Sequence, residues 1–123
     1  MSPRSAEFFE EARSRLATAA RVLADDPSAA VSLAYYAMLY AARAALSEED
    51  RYATTHRGVW DLFWQTFPAE GKFDSELAEK VRDTQRLRQL SDYEAKRPSM
   101  NEAERVVGLA ARFLDAVADL IDG

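Results

Sequence analysis

The chain has 123 residues, 48% of them hydrophobic, and a formal net charge of −5. That length suits one domain able to bury its own core, and the composition is not that of a disordered tail. There is no cysteine and one histidine, so disulfides, thiolate metal sites and His-rich metal sites are excluded. No Glu-x-x-His pair exists for a di-iron site in a bundle either. The acidic balance argues against a generic DNA binder. No apolar run reaches the roughly 18 residues a bilayer requires, and MSPRSAEFFEE lacks the apolar centre of a signal peptide. A cytoplasmic protein with no membrane association is the expectation.

Only four glycines and four prolines occur, and Ala, Leu, Glu and Arg fill the stretches between them. This favours helix throughout, and no useful strand alternation appears. Five helices are predicted. The first runs from about Pro3 to Ala24, capped by Ser2, with Phe9, Ala12, Leu16, Ala19, Ala20 and Leu23 on one stripe. The second opens at Asp26-Pro27 and ends near residues 47–50. Its stripe is Val31, Ala34, Tyr35, Met38, Ala42 and Leu46. Within it Tyr36, Tyr40 and Arg43 share one face, while Tyr35, Met38 and Leu39 should look inward or toward a neighbour. A tyrosine-rich helix suits bundle core or a dimer interface.

The third, about Thr55 to Phe67, is short and aromatic, with Trp60, Phe63, Trp64 and Phe67; core or interface is the expected role of these rings. The fourth begins near Asp74, carries Leu77, Val81, Thr84 and Leu87, and fades near Ser91. The fifth opens on a capping-box pattern, Ser99-Met100-Asn101-Glu102, and keeps helical period through Ile121. Short connections imply antiparallel neighbours. The expected fold is all-α: a single domain over 1–123, an up-and-down bundle of about four long helices plus one short one.

Residues 80–97, KVRDTQRLRQLSDYEAKR, hold six basic and three acidic side chains, a local +3 that leaves −8 for the rest. Such asymmetry can present a basic patch to phosphate. Arg82, Arg86, Gln89 and Tyr93 share a face if the helix reaches Tyr93, and Arg88 and Asp92 are spaced to pair. Ordinary ion pairs on a solvated face explain the same charges. The loop from about Asp92 to Pro98 is where function is sought. There is no nucleotide-binding glycine loop and no Gly-x-Ser-x-Gly elbow.

Three blocks, SLAYYAMLYAARAAL, THRGVWDLFWQTF and LRQLSDY, resemble the HEPN domain proteins (higher eukaryotes and prokaryotes nucleotide-binding), closest to the small stand-alone prokaryotic branch. The resemblance covers roughly the second to fifth helices, in order. It implies an all-helical bundle that dimerises across a polar cleft. It also implies a prokaryotic toxin–antitoxin setting, with a nucleotidyltransferase as partner. In ribonuclease members of the family the cleft holds Arg, four to six residues, then His; in some the motif continues to a tyrosine that the partner modifies with AMP.

Here the matching late-helix run is Arg86-Leu-Arg-Gln-Leu-Ser91-Asp92-Tyr93, with Ser91 where the histidine would stand. Arg51 and His56, in RYATTH, repeat the Arg-x-x-x-x-His spacing in a different block, at the start of the third helix. The resemblance therefore makes His56 structural and the spacing a coincidence, with Arg51 and His56 kept as possible site residues. It points to Arg86, Asp92 and Tyr93 as the catalytic set and to Arg82, Arg88, Lys96 and Arg97 as RNA-binding residues, with no metal and no cofactor. Serine has no low pKa, and a carboxylate beside arginines is a weak base. RNA binding, or slow metal-independent cleavage, is expected. The alternative is a non-catalytic dimerisation or nucleotide-binding module that associates with a nucleotidyltransferase.

Overall fold

A computed structural model describes residues 1–94 and 96–123, with side chains at all of these except 89–94. Five helices follow in order: α1 Pro3–Val22, α2 Pro27–Glu48, α3 His56–Thr66, α4 Ser75–Glu94 and α5 Met100–Asp122. No strand occurs among the described residues. The result is the all-α bundle that the periodicity predicts.

The helix starts follow local chemistry. Ser2, Asp26, Thr55 and Ser99 each accept a hydrogen bond from the backbone N–H three residues on, at 2.9–3.2 Å. Each satisfies one of the N–H groups a helix start leaves unpaired. Asp74 does the same for α4, accepting from Glu76 N at 2.9 Å. Pro3 and Pro27 occupy the first turns of α1 and α2, where no N–H is needed. Two boundaries differ from the sequence reading. α1 stops at Val22, and the α4 backbone stays helical to Glu94, past Ser91.

α2 is the axis of the molecule and packs against the other four helices. Ala34, Ala37, Ala41, Ala42 and Ala44 are fully buried along it. Small side chains there let α1 and α5 approach closely, while Tyr35, Met38 and Leu39 fill the space between. Tyr36, Tyr40 and Arg43 lie half-buried on the other face, as predicted. By length and composition α2 could cross a bilayer; its burial inside the bundle accounts for that apolarity. At the far end α3 closes the core with rings. Trp60, Phe63, Phe67, Phe73 and Phe113 stack at centroid distances of 5.2–6.2 Å.

Candidate nucleic-acid interface

α4 divides the basic segment between two sides of the molecule. A two-residue step turns an α-helix by about 200°, so Arg86 and Arg88 point in opposite directions. Arg86 faces the α3 side with its side chain 70% exposed, its Nη1 3.8 Å from Asp83 Oδ1. Arg82 stays on that side, its guanidinium 4.2 Å from the centre of the Trp64 ring. With Arg57 the two rim a shallow depression over Trp60 and Gln85. Arg88 instead turns toward α2 and lies over Tyr35 and Tyr36, 4.5 and 5.2 Å from their ring centres. Arg86 of the expected catalytic set and Arg88 of the expected RNA-binding set do not face the same cleft.

On the Arg88 side a cleft of about 310 Å³ opens between α2, α4 and α5. Arg88, Lys96, Arg97 and Arg105 line it, with Glu102 as the one carboxylate among the described residues. Ser28, Ser32 and Thr84 add hydroxyls. Ser28 lies in the first turn of α2 and Glu102 in the first turn of α5. Both helix starts add partial positive charge to the same space. The cleft therefore suits anionic oxygen: four cations, three hydroxyl groups and two helix N-termini converge on it.

Arg88 connects this cleft to the histidine. His56 is the first residue of α3, held there by the Thr55 cap. Its Nδ1 lies 3.4 Å from the Tyr35 hydroxyl, and its ring meets Tyr36 edge-on at 5.7 Å. The direction of the Tyr35–His56 hydrogen bond follows the imidazole tautomer. Burial, then the charges of Arg43 and Arg88, hold the His56 pKa below its ordinary value. The imidazole is therefore neutral at pH 7. Burial likewise raises Tyr35 above an ordinary phenol, only partly offset by Trp60, Arg88 and Gln85. Tyr35 keeps its proton.

Arg51 has different surroundings. Its Nη1 donates to Thr66 Oγ1 at 3.3 Å, and it lines a separate pocket with Arg4, Arg43 and Tyr52. Arg51 and His56 thus have different partners despite their spacing. The side chains of Ser91, Asp92 and Tyr93 lie outside the described residues, although the α4 backbone stays helical through Glu94. Among the described residues no three His, Asp or Glu side chains converge as a metal site.

The model of the HEPN domain matches residues 5–120. This chain belongs to the HEPN family. It is 33% identical over 125 aligned positions to the UPF0332 protein glr0978 of Gloeobacter violaceus, which covers 98% of both chains. Two proteins of Methanocaldococcus jannaschii, each named "Putative toxin", are also similar. MJ0605 is 31% identical over 88 residues, 72% of this chain and 66% of its own. MJ0142 is 35% identical over 66 residues, 54% of this chain and 45% of its own.

In this HEPN chain Arg88, Lys96 and Arg97, three of the binding residues expected from the sequence, lie together in one cleft. The sequence reading placed Arg82 with them, whereas Arg82 packs on Trp64 on the other side of α4. It missed Arg105, Ser28, Ser32 and Thr84. Arg105 carried a usable signal: it lies six residues after the Ser99 cap, so antiparallel packing of α5 on α4 returns it beside the late α4 arginines.

Proposed function

We propose that this HEPN protein is the RNA-directed member of a prokaryotic toxin–antitoxin pair, and that it holds RNA phosphates in the cleft lined by Arg88, Lys96, Arg97 and Arg105. The toxin names of two relatives support the setting. The observation that carries the reading is the position of Arg88, which both lines the cationic cleft and stacks on the tyrosines that contact His56. A phosphate held by Arg88 has a neutral imidazole as the proton-transfer group set behind it. His56 is then more than a helix-start residue, and Arg88 takes the phosphate role that the motif spacing gave to Arg86. His56 sits behind two tyrosines, so cleavage is slow beside binding. Asp92, spaced four residues after Arg88, is kept in the proposed site as an orienting group.

The test is binding and cleavage of a single-stranded RNA 12-mer. Four phosphates neutralised on a single strand give a log K against log salt slope of about −2.8. Arg88→Ala should lower affinity roughly tenfold or more, since a charge-assisted contact contributes about 1.5–3 kcal/mol. His56→Ala should keep binding and lose any cleavage. Unchanged binding in an Arg88→Ala, Arg97→Ala double variant would sink the reading.

The alternative, a binding module that dimerises and associates with a nucleotidyltransferase, draws on the face shared by α1 and α2. Arg4 lies 4.5 Å over Tyr52, and Arg15 lies 4.9 Å over Tyr40. Tyr52 is 51% exposed. Tyrosine and arginine dominate the energetics of protein interfaces. A homodimer through this face is expected at micromolar concentration by light scattering. A monomer there would count against any cleft shared between two copies.

A further inference from the structure

A second groove runs between α4 and α5 and joins the cationic cleft at Thr84, Leu87, Arg105 and Val106. Its floor is aliphatic: Leu87, 52% exposed, with Val106 and Leu109. Its rim is basic, from Lys80, Arg105 and Arg112, against Asp83 as the one acid lining it among the described residues. Lys80 pairs with Glu76 at 3.3 Å, while Arg105 and Arg112 make no ion pair with the described residues. Gly108 stands on the α5 wall, and a Cβ built there would meet nothing within 4 Å. An interior helix glycine is destabilising relative to alanine, and no packing within this chain requires it. What its missing side chain does provide is close approach for another backbone.

We infer that the α4/α5 groove is the docking site of an acidic amphipathic helix from a protein partner. The occupant's apolar stripe would cover Leu87 and Leu109, its axis would approach over Gly108, and its carboxylates would flank the stripe beside Arg105 and Arg112. Two helices side by side leave a groove that a third helix fills by ridge-into-groove packing. Charge selects the occupant. A second copy docked face to face across a two-fold axis would set this basic rim against itself. RNA would find no aromatic side chain among the described residues of the groove on which to stack a base. Arg105 belongs to both the groove and the cleft, so a docked partner would also cover one cation of the proposed phosphate site. The groove inference does not depend on that site binding RNA.

The test is selection of binders from a displayed library of helical peptides, with the full-length protein as bait and Gly108→Phe as counterselection. Gly108→Phe fills the groove from a position with open space, so its melting temperature should equal or exceed that of the parent. Expected are peptides with aliphatic residues at i, i+4 and i+7 and Asp or Glu on the flanks. Each should lose at least tenfold in affinity to Gly108→Phe and to Arg112→Glu, while Gly108→Phe keeps its affinity for the RNA 12-mer. Basic or neutral winners, no enrichment, or binding that survives Gly108→Phe would each overturn the inference. Loss of RNA binding in Gly108→Phe would assign the groove to nucleic acid. Conversion of a dimer to a monomer by the same change would assign it to a second copy. Failure of the parent to bind RNA would strike the phosphate cleft alone.

Discussion

α2 and α4 have nearly the same length, 22 and 20 residues, and opposite constitutions. α2 carries only Arg43 and Glu48 as charged side chains and buries residues on almost every side. α4 is charged at nearly every second position and buries Leu77, Ala78, Val81, Thr84 and Gln85 among its described side chains. α2 therefore holds the other helices together, while α4 rests on them by a narrow apolar edge. The remaining circumference of α4 is free to present cations in several directions. Packing is concentrated on α2 and charge on α4, a segregation that lets the exposed charges of α4 vary with little effect on the core.

Deleting the same side chain from each helix should give the largest difference between them. Leu39 of α2 is buried, and Leu39→Ala should cost about 2–5 kcal/mol. Leu87 of α4 is half exposed, and Leu87→Ala should change stability by about 0.5 kcal/mol or less. Urea unfolding of both variants measures the difference directly. Equal losses would mean that α4 is as much a part of the core as α2.

The same segregation decides what could be read in the sequence. Cap and proline signals at Ser2-Pro3, Asp26-Pro27 and Ser99 act within one turn, so those helix starts are legible in the sequence. The inward set Tyr35, Met38 and Leu39 followed from helical period alone. The opposition of Arg86 and Arg88 was equally available from the 100° step, but local charge grouped them. Other features needed the folded chain. Ser28, Arg88 and Arg105 meet only because α2, α4 and α5 pack together. His56 approaches the tyrosines under Arg88 because α3 starts against the middle of α2. No spacing rule reaches across such separations.

The contact between α2 and the α4 charges should show in the pH dependence of stability. The fold holds His56 below the ordinary histidine value of 6.5, through burial first and then Arg43 and Arg88. Below about pH 6.5 the unfolded chain binds the proton more readily than the native one. His56 therefore contributes full stability above that pH and loses it as pH falls through the folded pKa. Urea midpoints should drop between pH 7.5 and 5.5, and His56→Gln should flatten the drop. Glu48 does not interfere in this window. Its carboxylate is held below its usual 4.5 by hydrogen bonds from Ser2 and Ser5, so its contribution fades only at more acidic pH. An unchanged slope in His56→Gln would show that the imidazole is not held neutral by the fold.

The smallest expected effect on stability comes from Arg86, and it decides whether the two sides of α4 differ in function. Its pairing with Asp83 is long and exposed, and such i,i+3 pairs contribute about 0.2–0.5 kcal/mol. Arg86→Ala should leave the melting temperature nearly unchanged. It should also weaken RNA binding, since Arg86 still adds positive potential near α4, but by less than the roughly tenfold loss expected of Arg88→Ala. Salt separates the two roles further. Removing a direct phosphate contact at Arg88 should reduce the slope of log K against log salt by about 0.7, whereas removing a distant charge should change it less. Equal losses of affinity and slope in the two variants would mean that the strand crosses α4 and engages both sides. The binding surface would then extend from the Arg97 cleft over the helix to Arg82 and Trp64.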